Sequence, residues 1–126
     1  MTNLKDTDGA MNHPDPYVIF HLENDNWGLD KNYGKQQSTT KKCTCNPSYD
    51  ETFTFENVQK LDNLVLNCKV YDEDFGRDDH MGQKKLKLEN MLTPGETLEW
   101  SDELDKDHKG LFRKDAKLFL NIKYDE

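Results

Sequence analysis

Apolar residues in this chain recur at every second position in short runs, and no helical period is sustained anywhere. Val18, Phe20 and Leu22 alternate with Tyr17, Ile19 and His21, which predicts a strand over residues 17–22 with one face buried. The same reasoning gives a strand over 52–56, with Phe53 and Phe55 on one face. It gives another over 63–71, with Leu64, Leu66, Cys68 and Val70 directed inward. Residues 81–88, carrying Leu86 and Leu88, and residues 97–100 make weaker strands. The run over 116–124 is the clearest, with Ala116, Leu118, Leu120, Ile122 and Tyr124 in register. Residues 36–45 are polar but rich in threonine, as a half-exposed edge strand is. Turn signals separate the runs at Asp8-Gly9, Asn46-Pro47, Phe75-Gly76 and Pro94-Gly95. Residues 101–115 are highly charged and read as a surface connection. Seven short strands at this spacing predict an all-β domain, an antiparallel β-sandwich.

Composition narrows the classes. A chain of 126 residues defaults to one domain, here 1–126. Leu, Ile, Val and Phe make up only about a fifth of it and the net charge is −8, so the core must be thin. No apolar stretch approaches the roughly 20 residues that span a bilayer, and Met1-Thr2-Asn3-Leu4-Lys5-Asp6 lacks the apolar core of a signal peptide. Two arginines on so acidic a chain argue against a nucleic-acid partner, because phosphate neutralisation needs a basic face. Cys43, Cys45 and Cys68 are an odd set and too few for a disulfide scaffold, which points to a reducing, intracellular setting. No nucleophile elbow, phosphate loop or helix-borne histidine pair is present, so an enzyme is not expected. His13 and His80 have no Cys or His neighbours at zinc spacing.

The densest chemistry is Asp72-Glu73-Asp74-Phe75-Gly76-Arg77-Asp78-Asp79, directly after an apolar strand. Crowded carboxylates repel one another unless a cation lies among them, and Ca²⁺, which takes six to eight oxygen ligands in flexible geometry, suits them. A second acidic loop, Asp6-Thr7-Asp8-Gly9 and then Pro14-Asp15-Pro16, precedes the first strand; loops at one end of a sandwich converge. An EF-hand is excluded: counted from Asp72, Arg77 falls where its glycine belongs and Gln83 where its glutamate belongs.

Asp15-Pro16-Tyr17-Val18, then Asn46-Pro47 with Glu51-Thr52-Phe53-Thr54-Phe55, then Val70-Tyr71-Asp72-Glu73-Asp74 with Asp79-His80-Met81-Gly82, together resemble the C2 domain, over about residues 4 to 88. The resemblance implies a Greek-key sandwich of seven to eight strands. It also implies two or three Ca²⁺ held by five aspartates, which transfer to Asp8, Asp15, Asp72, Asp74 and Asp79. The first loop is a residue longer than the common pattern, which brings in Asp6 and Asn12, and Asp78 is either structural or a further ligand. Met11 and Phe75 at the loop tips are candidates for membrane insertion, and Arg77 for a lipid phosphate. Lys35, Lys41 and Lys42 lie on or near the strand that many relatives use for phosphoinositides.

The resemblance implies Ca²⁺-dependent binding of anionic phospholipid membranes by a membrane-targeting or signalling module of the kind used in vesicle traffic. Such a module is cytoplasmic and is recruited peripherally to membranes when it binds calcium. The alternative is a protein-interaction or scaffolding domain in which calcium is structural or absent. One departure stands out. The family has a full apolar strand before the first loop, where this chain offers only Leu4. The expectation is a first strand that is truncated or supplied by a partner, with dimerisation or strand exchange at the open sheet edge.

Overall fold

The computed structural model describes residues 1–2, 4, 13–24, 31–106 and 116–125. Its strands are β1 (Pro16–Asn24), β2 (Lys31–Gln37), β3 (Leu64–Asp72), β4 (Asp79–Lys87), β5 (Thr97–Glu103), β6 (Asp105–Lys106) and β7 (Lys117–Lys123). The one helical element among the described residues is a 3₁₀ turn at Leu88–Asn90. Every pairing is antiparallel. One sheet has the order β2-β1-β3-β4-β6 and the other pairs β5 with β7. This is the β-sandwich that the alternating pattern predicts.

The alternation places the core. Val18, Phe20 and Leu22 of β1 lie opposite Val70, Cys68 and Leu66 of β3, and all six are buried. Leu86, Leu118, Leu4, Leu88 and Leu104 close this cluster, and Trp100, Leu120 and Ile122 of the second sheet pack against it. Cys68 has no exposed surface, and burial pushes its thiol up to about 12, so it behaves as a small apolar residue.

Three expected boundaries change. The strand expected over 36–45 is β2, which lies earlier, at Lys31–Gln37. Beyond it the chain still follows β1, through Ser38 N–H to Val18 O, Lys41 N–H to Pro16 O and Thr44 N–H to Pro14 O. It advances three residues for every two of its neighbour. Pro14 and Pro16 have no N–H to return, so these bonds run one way and no regular ladder forms. Residues 52–56 alternate in exposure but belong to no strand. β5 runs on through Glu103 and Leu104 is buried, so the charged stretch from 101 begins inside the sandwich.

Thr2 and Lys117 exchange both backbone bonds at 3.0 Å, and Leu4 N–H donates to Cys45 O at 3.0 Å.

Candidate functional site

The ladder gathers strand ends that carry acid. Pro16 is opposite Asp72 across β1 and β3, and Asp72 is opposite Asp79 across β3 and β4. Asp15, Asp72 and Asp79 therefore come from three segments to adjoining positions at one end of the sandwich. The Asp15 N–H donates to Asp72 Oδ1 at 2.8 Å, the Glu73 N–H to the Asp15 carbonyl at 3.0 Å, and the Cys43 N–H to Asp15 Oδ1 at 2.7 Å. Asp72 is only 5% exposed. A carboxylate so placed is costly unless donors or cations face it, and one of its donors is a backbone amide held by the adjoining loop.

The loop from β3 to β4 is built around Asp78. Its Oδ1 accepts the Asp74 N–H at 3.1 Å and its Oδ2 accepts the Tyr17 hydroxyl, while Asp74 Oδ1 caps the Phe75 N–H at 2.7 Å. Tyr17 is fixed in turn by stacking on Tyr71, whose ring meets His80 edge-on. The Tyr17 hydroxyl and the Asp74 amide hold the Asp78 carboxyl below its usual range. Burial first, and then Asp78, pushes the Tyr17 phenol up. Above this clasp Gly76 takes φ +90°, a conformation that suits glycine, and Phe75 stands fully in solvent beside exposed Arg77.

Of the candidate lysines, Lys42 reaches Glu73 Oε1 at 3.5 Å, and Thr40 Oγ1 reaches Glu73 Oε2 at 2.6 Å, so this segment joins the loop. Lys41 Nζ sits 5.8 Å from the Tyr49 ring centroid. Lys35 lies opposite His21, well along β1 from the acidic end, and is not brought to it. Asp6, Asp8, Met11 and Asn12 lie outside the described residues. Among the described residues no group of three or more His, Cys, Asp or Glu side chains is gathered around one point. None of their helices is long and apolar enough to cross a membrane.

Sequence spacing misses two features. Tyr17 clasps Asp78 across 61 positions. His13 Nδ1 lies 3.5 Å from Cys45 Sγ across 32, because Pro14 and Thr44 are bonded side by side. No local spacing rule reaches either pair.

Comparison with known proteins agrees with the fold. The family model described as C2 domain matches residues 1–103. Synaptotagmin-1 of Pongo abelii is 36% identical over 107 residues, covering 81% of this chain and 23% of that protein. The chain thus spans about a quarter of the length of the curated relatives it matches. Among solved structures, a C2 domain of plant extended synaptotagmin 1 superposes with a TM-score of 0.75 at 28% identity, covering 98% of this chain and 86% of that one. Human GIVD cytosolic phospholipase A2 superposes with a TM-score of 0.66 at 27% identity, covering 80% of this chain but only 14% of that one.

Proposed function

The chain belongs to the C2 domain family, and from that premise we propose that it binds anionic phospholipid membranes in a calcium-dependent manner. The binding end is the one that carries Asp15, Asp72 and Asp79. The observation that carries this reading is the ladder register, which brings these three acidic strand ends together beside the exposed tip Phe75-Gly76-Arg77.

The carboxylate oxygens of these strand ends are hard donors, which suit a hard divalent cation. Asp15, Asp72, Asp74 and Asp79 would hold it, with Asp8 from the first loop. Bound Ca²⁺ supplies positive charge at an end that is otherwise acidic. The chain's own residues do the rest. A protein at −8 is repelled by a leaflet near about −30 mV, so these carboxylates keep the free module off the membrane. Phe75 presents an apolar ring for the headgroup boundary, and Arg77 a guanidinium that matches phosphate. Lys41 and Lys42 flank the same end. The alignment to phospholipase A2 leaves most of that enzyme uncovered, and we propose a binding module rather than an enzyme.

The test is co-sedimentation with phosphatidylserine vesicles, in calcium and in chelator, for the chain and for Asp72→Asn/Asp74→Asn. Because Asp72 is buried, Asp74→Asn alone serves as a second variant that leaves the core untouched. Sedimentation in calcium only, weakened in both variants, is the expected result. No binding in either condition overturns the reading. Thermal stabilisation by calcium without vesicle binding would favour the protein-interaction alternative.

A further inference from the structure

The approach to β1 runs beside the segment that follows β2, and Pro14 is where they meet. The Thr44 N–H donates to the Pro14 carbonyl at 2.9 Å, which brings His13 level with Cys45. His13 Nδ1 and Cys45 Sγ stand 3.5 Å apart. Pro14 has no N–H to give in return, so the backbone joins the two segments there in one direction only. The thiol side of the pair is held in place. The Leu4 N–H donates to Cys45 O at 3.0 Å, the Asn46 N–H to Thr44 Oγ1 at 3.0 Å and the Cys43 N–H to Asp15 Oδ1 at 2.7 Å. Residues 43–45 are thus each fixed before any ligand arrives.

An imidazole nitrogen and a thiolate sulfur are the donors that suit Zn²⁺. With Zn–N of about 2.0–2.1 Å and Zn–S of about 2.3 Å, two such donors on one tetrahedral ion stand about 3.5 Å apart. His13 and Cys45 already have the spacing of that edge. A third donor lies two residues along the chain at Cys43, which is exposed and takes φ 55°. Two residues span at most about 7 Å, so both sulfurs can reach one ion. His13 is also exposed and Cys45 half-buried, so solvent gives the ion a path in.

We propose that His13, Cys43 and Cys45 bind a Zn²⁺ ion, with water in the fourth position. The His13–Cys45 edge is preformed, and Cys43 turns its thiol in as the ion binds. Each thiol gives its proton to solvent on binding. Calcium does not compete, because it takes oxygen ligands, so donor type sorts the two ions at this end of the sandwich. The bound zinc fastens the two segments at the point where proline leaves their pairing one-sided.

The test is a Co²⁺ titration of the full, reduced chain under argon, without calcium or lipid. Cobalt in a tetrahedral thiolate site gives strong visible bands and a sulfur-to-metal charge-transfer band, whereas carboxylates and water leave it almost colourless. One equivalent should saturate these bands, one equivalent of Zn²⁺ should abolish them, and excess Ca²⁺ should leave them in place. His13→Ala, Cys43→Ser and Cys45→Ser should each weaken binding at least about tenfold. His13 and Cys43 are exposed, so those two variants leave the core intact. Absence of the charge-transfer band, its survival in any of the three variants, or its loss to calcium overturns the proposal. A plain hydrogen bond between His13 and Cys45 predicts the first of these outcomes. The titration needs no vesicle, so the zinc site and the membrane reading stand or fall separately.

Discussion

Glu51 illustrates how a single exposed carboxylate is held. Its carboxylate accepts the Thr39 hydroxyl at 2.7 Å and the Thr39 N–H at 3.0 Å. The hydroxyl bond, then the backbone bond, lowers its pKa from the ordinary 4.5. A depressed carboxylate stabilises the fold fully above its unfolded value and loses that contribution as the pH falls through its folded value. Thr39→Val removes the hydroxyl and keeps the shape, so the Glu51 titration observed by NMR should move up. Acid unfolding should begin at a slightly higher pH. An unchanged titration would assign the shift to the backbone amide instead. At this scale the sequence is legible where chemistry sits next to a strand end. Asp15, Asp72 and Asp79 stand beside alternating runs, so the meeting of their strand ends follows from the sandwich. The Tyr17–Asp78 and His13–Cys45 contacts depend on register between distant segments, which side-chain pattern alone does not encode.

Among the elements, those with a buried face are the readable ones. β1, β3 and β7 carry unbroken apolar alternation, and their expected and observed positions agree within a few residues. β2 does not, because an edge strand of sequence Lys-Asn-Tyr-Gly-Lys-Gln-Gln has no apolar period, and the threonines beyond it drew the expectation onward. The segment that carries them bonds Pro16 and Pro14 through Lys41 and Thr44, where half the bonds of a ladder cannot form. Ser38 secures the junction at which the regular pairing stops. Its buried hydroxyl accepts the Val18 N–H at 2.8 Å and donates to the Thr39 carbonyl at 3.0 Å. Ser38→Ala strands a buried amide of β1 and should cost about 1–3 kcal/mol, read as a lower urea midpoint with unchanged slope. An unaltered midpoint would mean that water replaces the hydroxyl. Residues 52–56 show the converse case. Their pattern is that of a strand, but a pattern sets which side chains turn inward and not whether a neighbour is there to pair.

At the scale of the molecule, three acidic strand ends meet at one end of a sandwich whose core is thin, so the proposed calcium binding would be linked to folding. A ligand held only by the folded state adds stability in proportion to the logarithm of its saturation, about 2.7 kcal/mol at a hundredfold excess over Kd. Calcium should therefore raise the melting temperature by several degrees. Chelator should reverse the rise, and Asp74→Asn should reduce it. A melting curve indifferent to calcium would sink the assignment of these aspartates as ligands, whatever the vesicles do. The clasp of Asp78 on Tyr17 and Asp74 closes the loop beneath Phe75, Gly76 and Arg77, so the tip hangs from a fixed base and contributes little to holding it. Over generations such a tip is free to vary. Lineages can exchange the aromatic for an aliphatic, or the arginine for a neutral residue, and so acquire new surface preferences while inheriting the same frame.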